Sequence, residues 1–171
     1  MLLYHGGLIE IKNPLVDFGR PDIDFGQGFY TTLIKEQAEK WAKRKKRLSK
    51  DLQTVPIVSV YNYEEDDHLF TKQFDNYSEE WLMFVIENRR QIIDSSKLGY
   101  DIIEGNIADD RVVRVVDALI EAMEEERINN AMKVAALLEL EYQEENYQIC
   151  FKTNKSLKYL TFQESYEVKN V

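Results

Sequence analysis

An α+β fold in a single domain spanning residues 1–171 is what this sequence predicts, on three observations. Short runs rich in β-branched and aromatic residues alternate with longer runs of strong helix formers that lack Gly and Pro, so strands and helices are interleaved. No repeat, linker or low-complexity segment divides the chain. Its length and its 44% apolar, 31% charged composition suit one soluble globular core.

The elements follow in order. Leu2 to Tyr4 is short and apolar and runs into His5-Gly6-Gly7, which predicts a strand ending in a turn. Asn13 to Phe25 holds Asn-Pro and Gly-Arg-Pro-Asp, whose backbone preferences disfavour regular structure, and reads as a loop. Gly28 to Thr32 is a second strand. Lys35 to Lys50 is dense in helix formers, with Ala38, Trp41, Ala42 and Lys45 on one side of the predicted helix. Val55 to Tyr61 is β-branched and predicts a strand, and Asp66 to Tyr77 an exposed loop. Ser78-Glu79-Glu80-Trp81 has the pattern of a helix start, continuing to Ile92. Tyr100 to Gly105 reads as a strand, and Asp109-Asp110 would cap a helix reaching Met123. A further helix over Ile128 to Leu140, a strand at Gln148 to Phe151, a helical turn at Lys155 to Tyr159 and an extended piece from Leu160 to Val168 complete the chain.

Composition narrows the partners. The net charge of −9 opposes non-specific attachment to phosphate backbones or anionic lipid, so any nucleic-acid contact must be local. The one cysteine, Cys150, sits in an apolar run; no intramolecular disulfide can form, and a buried structural thiol in a reducing compartment is expected. The Met1 to His5 segment has neither the basic nor the apolar region of a signal peptide, and no run is long enough to span a bilayer. A cytoplasmic protein without a membrane partner is the expectation.

Chemistry is sought first at the two histidines. His68 lies among acidic residues in the exposed loop; His5 closes an apolar strand before two glycines, where a ring can project while the backbone remains open to a ligand, or can simply be structural. Gly26-Gln27-Gly28 permits close approach of a ligand to the backbone, and Phe29 and Tyr30 behind it offer a flat wall; the same residues also suit a glycine turn before a core strand. Lys43-Arg44-Lys45-Lys46-Arg47 is the one basic cluster, either an anion contact or a solvated helix face. No Walker loop, dinucleotide fingerprint, nucleophile elbow, calcium loop or zinc-spaced Cys/His set is present, so no metal is expected.

Leu2-Leu3-Tyr4-His5-Gly6-Gly7 followed by Phe25-Gly26-Gln27-Gly28-Phe29-Tyr30 resembles the first two motifs of the diphtheria-toxin and poly-ADP-ribose-polymerase branch of ADP-ribosyltransferases. The chain is closer still to a family of small bacterial proteins of that fold, sharing Asp24 to Tyr30, Gln37-Ala38 through Trp41-Ala42, Glu80-Trp81, Tyr100 to Ile103 and Gln148 to Phe151. The resemblance implies two small packed antiparallel sheets forming an NAD cleft flanked by helices. It implies that His5 bonds the adenosine-side ribose, that the backbone of Gly6 holds the nicotinamide carboxamide, that Gly28 and Phe29 line the cofactor and that Tyr30 walls the nicotinamide. Counting without gaps from Tyr30, Trp41 falls where a second aromatic wall stands in the polymerase branch, unless it is a core tryptophan. Ala38 falls where that branch has a serine that bonds the carboxamide.

The third element of the family signature is a glutamate at the start of a late strand. Here the corresponding residue is Gln148, with Glu144 and Glu145 just upstream and Glu145 the reserve. An amide can hold ribose hydroxyls but brings no charge to a developing cation. The resemblance therefore implies a mono-ADP-ribosyltransferase consuming NAD as substrate and modifying a macromolecular acceptor, protein or nucleic acid, in the role of an intracellular toxin or regulator restrained by a partner protein. An NAD glycohydrolase and a catalytically silent NAD or ADP-ribose binder are the alternatives. Asn13 to Asp24 and Asp66 to Tyr77 are the candidate acceptor loops.

Overall fold

The computed structural model describes residues 1–107, 110–140 and 146–169. Seven strands and five helices lie among them: β1 (Leu2–Gly7), β2 (Phe29–Thr31), α1 (Lys35–Leu48), β3 (Ile57–Tyr63), β4 (Thr71–Gln73), α2 (Glu79–Arg89), β5 (Ile102–Gly105), α3 (Asp110–Glu124), α4 (Asn130–Leu140), β6 (Gln148–Phe151), α5 (Asn154–Leu157) and β7 (Leu160–Glu167). They build two small sheets, ordered β1-β3-β7 and β2-β6-β5-β4. A single antiparallel bridge, Tyr4 to Thr32, ties β1 to β2 where the sheets meet.

Four differences from the sequence reading have physical causes. β1 does not stop at Tyr4: it pairs antiparallel with β3 through Gly7, because the missing side chain of Gly6 leaves room for the backbone of α1. Thr71–Gln73 lies inside the predicted loop yet forms an edge strand, as Phe70 and Asp101 bond each other through the Asp101 amide and carboxylate. β4 pairs parallel with β5, so the four-stranded sheet is mixed where an antiparallel one was expected. Finally α2 ends at Arg89 rather than Ile92, because Gln91 takes a left-handed conformation (φ 54°) that cannot continue a helix.

Its start is as expected. The Ser78 hydroxyl accepts the Trp81 amide hydrogen at 3.1 Å. The helix at 110–124 and the strand at 148–151 also stand where predicted, although Asp109, named as part of the cap, is outside the described residues.

Alternation along the strands sorts the core into layers. Leu3, Phe29, Tyr61, Ile102, Ile149 and Phe151 form one buried cluster drawn from both sheets, so the sheets pack on these faces. Phe25, Phe74, Trp81, Leu82, Ile86 and Val116 fill the space between the four-stranded sheet and α2 and α3. Ala38 and Ala42 of α1 close over Val58 and Val60. Small residues at both contact points let helix and strand backbones come within reach of each other.

Candidate functional site

The site is built around the free edge of β1. Residues of an antiparallel strand direct their N–H and C=O alternately to the two sides. The backbone of Tyr4 faces β2, where its N–H and C=O each bond Thr32 at 2.9 Å, so the backbone of Gly6, two residues on, also turns away from β3. Its carbonyl accepts a hydrogen bond from the Lys45 ammonium at 3.1 Å.

His5 lies between these two residues. Its Nδ1 is 2.6 Å from the Tyr30 carbonyl, which can only accept, so Nδ1 carries the proton and Nε2 is the acceptor in the neutral ring. The ring stacks on Phe29, with centroids 4.7 Å apart and planes at 23°. Burial first, and then the neighbouring Lys45 charge, lower its pKa from 6.5 to about 4, against the opposing Tyr30 hydrogen bond. His5 is therefore a neutral acceptor at physiological pH.

A stability prediction follows. Between pH 6.5 and about 4 the unfolded chain binds a proton at His5 that the folded chain does not, so the folded state loses stability as pH falls through that window. The loss is about 3 kcal/mol at its fullest. Urea unfolding from pH 7 to 4 should show a steeper decline for the wild type than for His5→Asn, and parallel declines would refute the assignment.

Trp41 is not a core tryptophan. It is 48% exposed on α1, with the Arg44 guanidinium 5.5 Å and the Lys45 ammonium 6.0 Å from its ring. Lys45 thus joins Trp41, Gly6 and His5 into one group. The basic cluster is not a plain solvated face either: Lys46 bonds the carbonyl of Leu52 at 2.8 Å and closes the turn after α1.

Tyr30 points to the opposite face of β2 from Phe29, across from Cys150. Its hydroxyl donates to the Gly26 carbonyl at 2.6 Å and accepts from the Phe25 amide at 3.1 Å, which closes the loop between Asp24 and β2. Lys152 grips the same loop from beneath, donating to Phe25 O at 2.6 Å, to Gln27 O and to Ser95 Oγ at 3.0 Å. At Gly28 an added Cβ would lie 2.5 Å from Cys150 Sγ and 2.7 Å from Phe151 O, so here glycine serves packing against β6. Cys150 is buried as expected, and burial pushes its thiol up to about 11.

Gln148 heads β6, as predicted, and is 6% exposed. Its Nε2 donates to Asp24 Oδ2 at 3.0 Å and to the Asn106 carbonyl at 3.3 Å. Asp24 in turn receives Nε and Nη2 of Arg89, at 3.1 and 2.8 Å, on its other oxygen. The reserve residue Glu145, with Glu144, lies outside the described residues.

The fold therefore gathers His5, Gly6, Phe29 and Trp41 on one side, and Tyr30 and Gln148 with Asp24 on the other, joined by the His5 to Tyr30 bond. Sequence reading missed Arg89 and Lys152 as participants and had Lys45 only as part of the basic cluster, since nothing in a lysine or arginine tells which backbone oxygen or carboxylate it will meet. His68 is exposed: its ring bonds Asp66 at 2.7 Å and its carbonyl accepts from the Lys155 ammonium at 2.6 Å. Among the described residues no helix is long and apolar enough to cross a membrane, and no group of His, Cys, Asp and Glu side chains could hold a metal ion.

No curated protein and no solved structure matches the chain. One family does, under the description "Protein of unknown function (DUF3990)", and its match runs over residues 1–162. By that match across nearly its whole length, the chain belongs to the DUF3990 family.

Proposed function

We propose that this protein is a mono-ADP-ribosyltransferase that takes NAD at the edge of β1. The observation that carries the reading is the Gly6 backbone, turned away from its own sheet between a neutral His5 and a half-exposed Trp41. The Gly6 N–H and C=O suit a carboxamide, which both accepts and donates, once Lys45 yields the carbonyl. His5 Nε2 accepts a ribose hydroxyl. Trp41 stacks on one nicotinamide face, while Tyr30, implied by the resemblance as the other wall, lies on the opposite side and supports the site through its carbonyl bond to His5.

Gln148 supplies the ribose contact in place of a carboxylate. Donation from its Nε2 to Asp24 polarises the amide and strengthens Oε1 as an acceptor. Clamping the nicotinamide and the ribose separately favours the dissociative opening of the bond between them, and ADP-ribose then passes to an acceptor.

The test is nicotinamide release from NAD by the purified protein, with and without cell lysate, beside His5→Ala and Gln148→Ala. Release that requires lysate, and falls at least about 10-fold in each variant as expected for a lost substrate hydrogen bond, supports transfer. Release in buffer alone makes the protein a glycohydrolase. Absence of release in both conditions overturns turnover, and NAD binding by calorimetry then decides for a silent binder.

A further inference from the structure

A concave region opens beyond the start of β6, where α1, β4 and β5 also end or begin. It is a cleft of about 500 Å³, and its walls include Gln73, Asp75, Asn76, Asn106, Asn146 and Tyr147. Four carboxamides and one carboxylate meet there, and none of the cleft's lining residues is Lys, Arg or His.

The hydrogen bonds already made leave open the side-chain oxygens of Gln73, Asn76, Asn106 and Asp75, beside carboxamide N–H groups. Gln73 uses its Nε2 on the Tyr147 hydroxyl at 3.5 Å, which leaves Oε1. The backbone carbonyl of Asn106 is taken by Trp81 and Gln148, whereas its side chain makes no hydrogen bond among the described residues. Asn146 Oδ1 accepts Ile107 N at 2.9 Å and Tyr77 Oη at 3.1 Å, which fixes that wall and leaves Asn146 only its Nδ2 to offer. Asp75 has no ion-pair partner among the described residues, and its charge, with that of Glu104, helps hold the Tyr147 hydroxyl up at about 12, behind the larger effect of burial. Asn76 is held in the left-handed region at φ 57°, a conformation this residue type tolerates at modest cost.

We infer that this cleft binds a guanidinium group, the side chain of an arginine presented by a partner protein. A guanidinium is planar, has five donors and no acceptor, and lies well against an aromatic face, so it matches the open oxygens of Gln73, Asn76 and Asn106, the Asp75 carboxylate and the Tyr147 ring. An ammonium is a hydrated point charge and satisfies fewer of these acceptors. The net charge of −9 draws cationic partners to the surface.

Gln148 borders the cleft through its bond to the carbonyl of Asn106, one of the lining residues. Resting on the proposed function, an arginine seated here is the acceptor. A guanidine nitrogen forms the new bond to the anomeric carbon of the ribose. The bond from that carbon to nicotinamide breaks, its electron pair leaves with neutral nicotinamide, and the guanidinium proton passes to water.

Agmatine, which carries the guanidinium on a short amine, tests the cleft without NAD in an NMR titration of the intact chain. Saturable shifts are expected at the amides of Asn106, Asn146 and Tyr147, with Asp75→Asn weakening binding about 10-fold and Glu164→Gln, on the distant β7, leaving it unchanged. Cadaverine, with ammonium groups only, should bind at least about 10-fold more weakly. Equal binding of cadaverine, no effect of Asp75→Asn, or saturation by adenosine in place of agmatine overturns the inference. Adding NAD then separates the two readings: agmatine binding without nicotinamide release sinks the transferase alone, and lysate-dependent release with no agmatine binding sinks the cleft alone.

Discussion

Gly6→Ala is expected to destabilise the protein by about 3 kcal/mol or more, at the upper end of what overpacking costs. An alanine Cβ at this position would lie 2.1 Å from the Ala38 carbonyl oxygen and 3.0 Å from the Ala42 nitrogen. Both are backbone atoms of α1, and no rotamer change can withdraw them. Relief requires the helix to lift off β1, which uncovers the buried contacts of Ala38 and Ala42 with Val58 and Val60. In a domain of this size the change corresponds to a fall in Tm of about 10 °C. Gly7 is the control, because a Cβ there meets nothing closer than 3.5 Å and its backbone is not left-handed. Gly7→Ala should leave Tm within about 2 °C. It also sets a methyl 3.6 Å from His5 Nε2, so on the proposed function it weakens NAD binding without weakening the fold. Equal Tm values for the two variants would mean that α1 does not sit on Gly6 as described.

Asp24→Ala carries the second large effect. It removes the carboxylate from between the Arg89 guanidinium, whose side chain is 17% exposed, and the buried Gln148 amide. Deleting one partner of a buried pair costs about 3–5 kcal/mol, because the other charge keeps its desolvation penalty and loses its compensation. Asp117, 3.7 Å from Arg89 on α3, recovers part of this. Arg89→Met added to Asp24→Ala should therefore cost less than the sum of the two single changes, measured as unfolding free energies in urea. Strict additivity would show that the two residues do not act as a pair. Since Asp24 also orients Gln148, the variant is expected to lose nicotinamide release along with stability.

Local preference carried much of the architecture. Ser78 ahead of Glu79-Glu80-Trp81 marked the start of α2, and the apolar run Ile149-Cys150-Phe151 marked β6, because capping and strand preference act within a few residues. The places where local reading went astray are those where a distant partner decided the outcome. β1 continues through two glycines because β3 and α1 lie against it, and Thr71–Gln73 becomes a strand because β5 offers it an edge. Residue pattern could not reveal that Trp41 faces solvent, since Ala38 and Ala42 on the same helix are buried by a close approach that only small residues allow.

By itself, then, the amino-acid sequence determined the mixed strand and helix order, the absence of a disulfide, the acidic surface charge and the motif of His5, Gly6 and Tyr30, all of which depend on residue identity and near neighbours. Only the tertiary structure decided which groups those residues meet. It set Lys45 on the Gly6 carbonyl, Asp24 between Arg89 and Gln148, and Lys152 beneath the Phe25 to Gln27 loop. Hydrogen bonds and charges act over a few ångströms in space, whatever the separation along the chain, and in this protein those contacts join residues brought together by two packed sheets bridged at Tyr4 and Thr32.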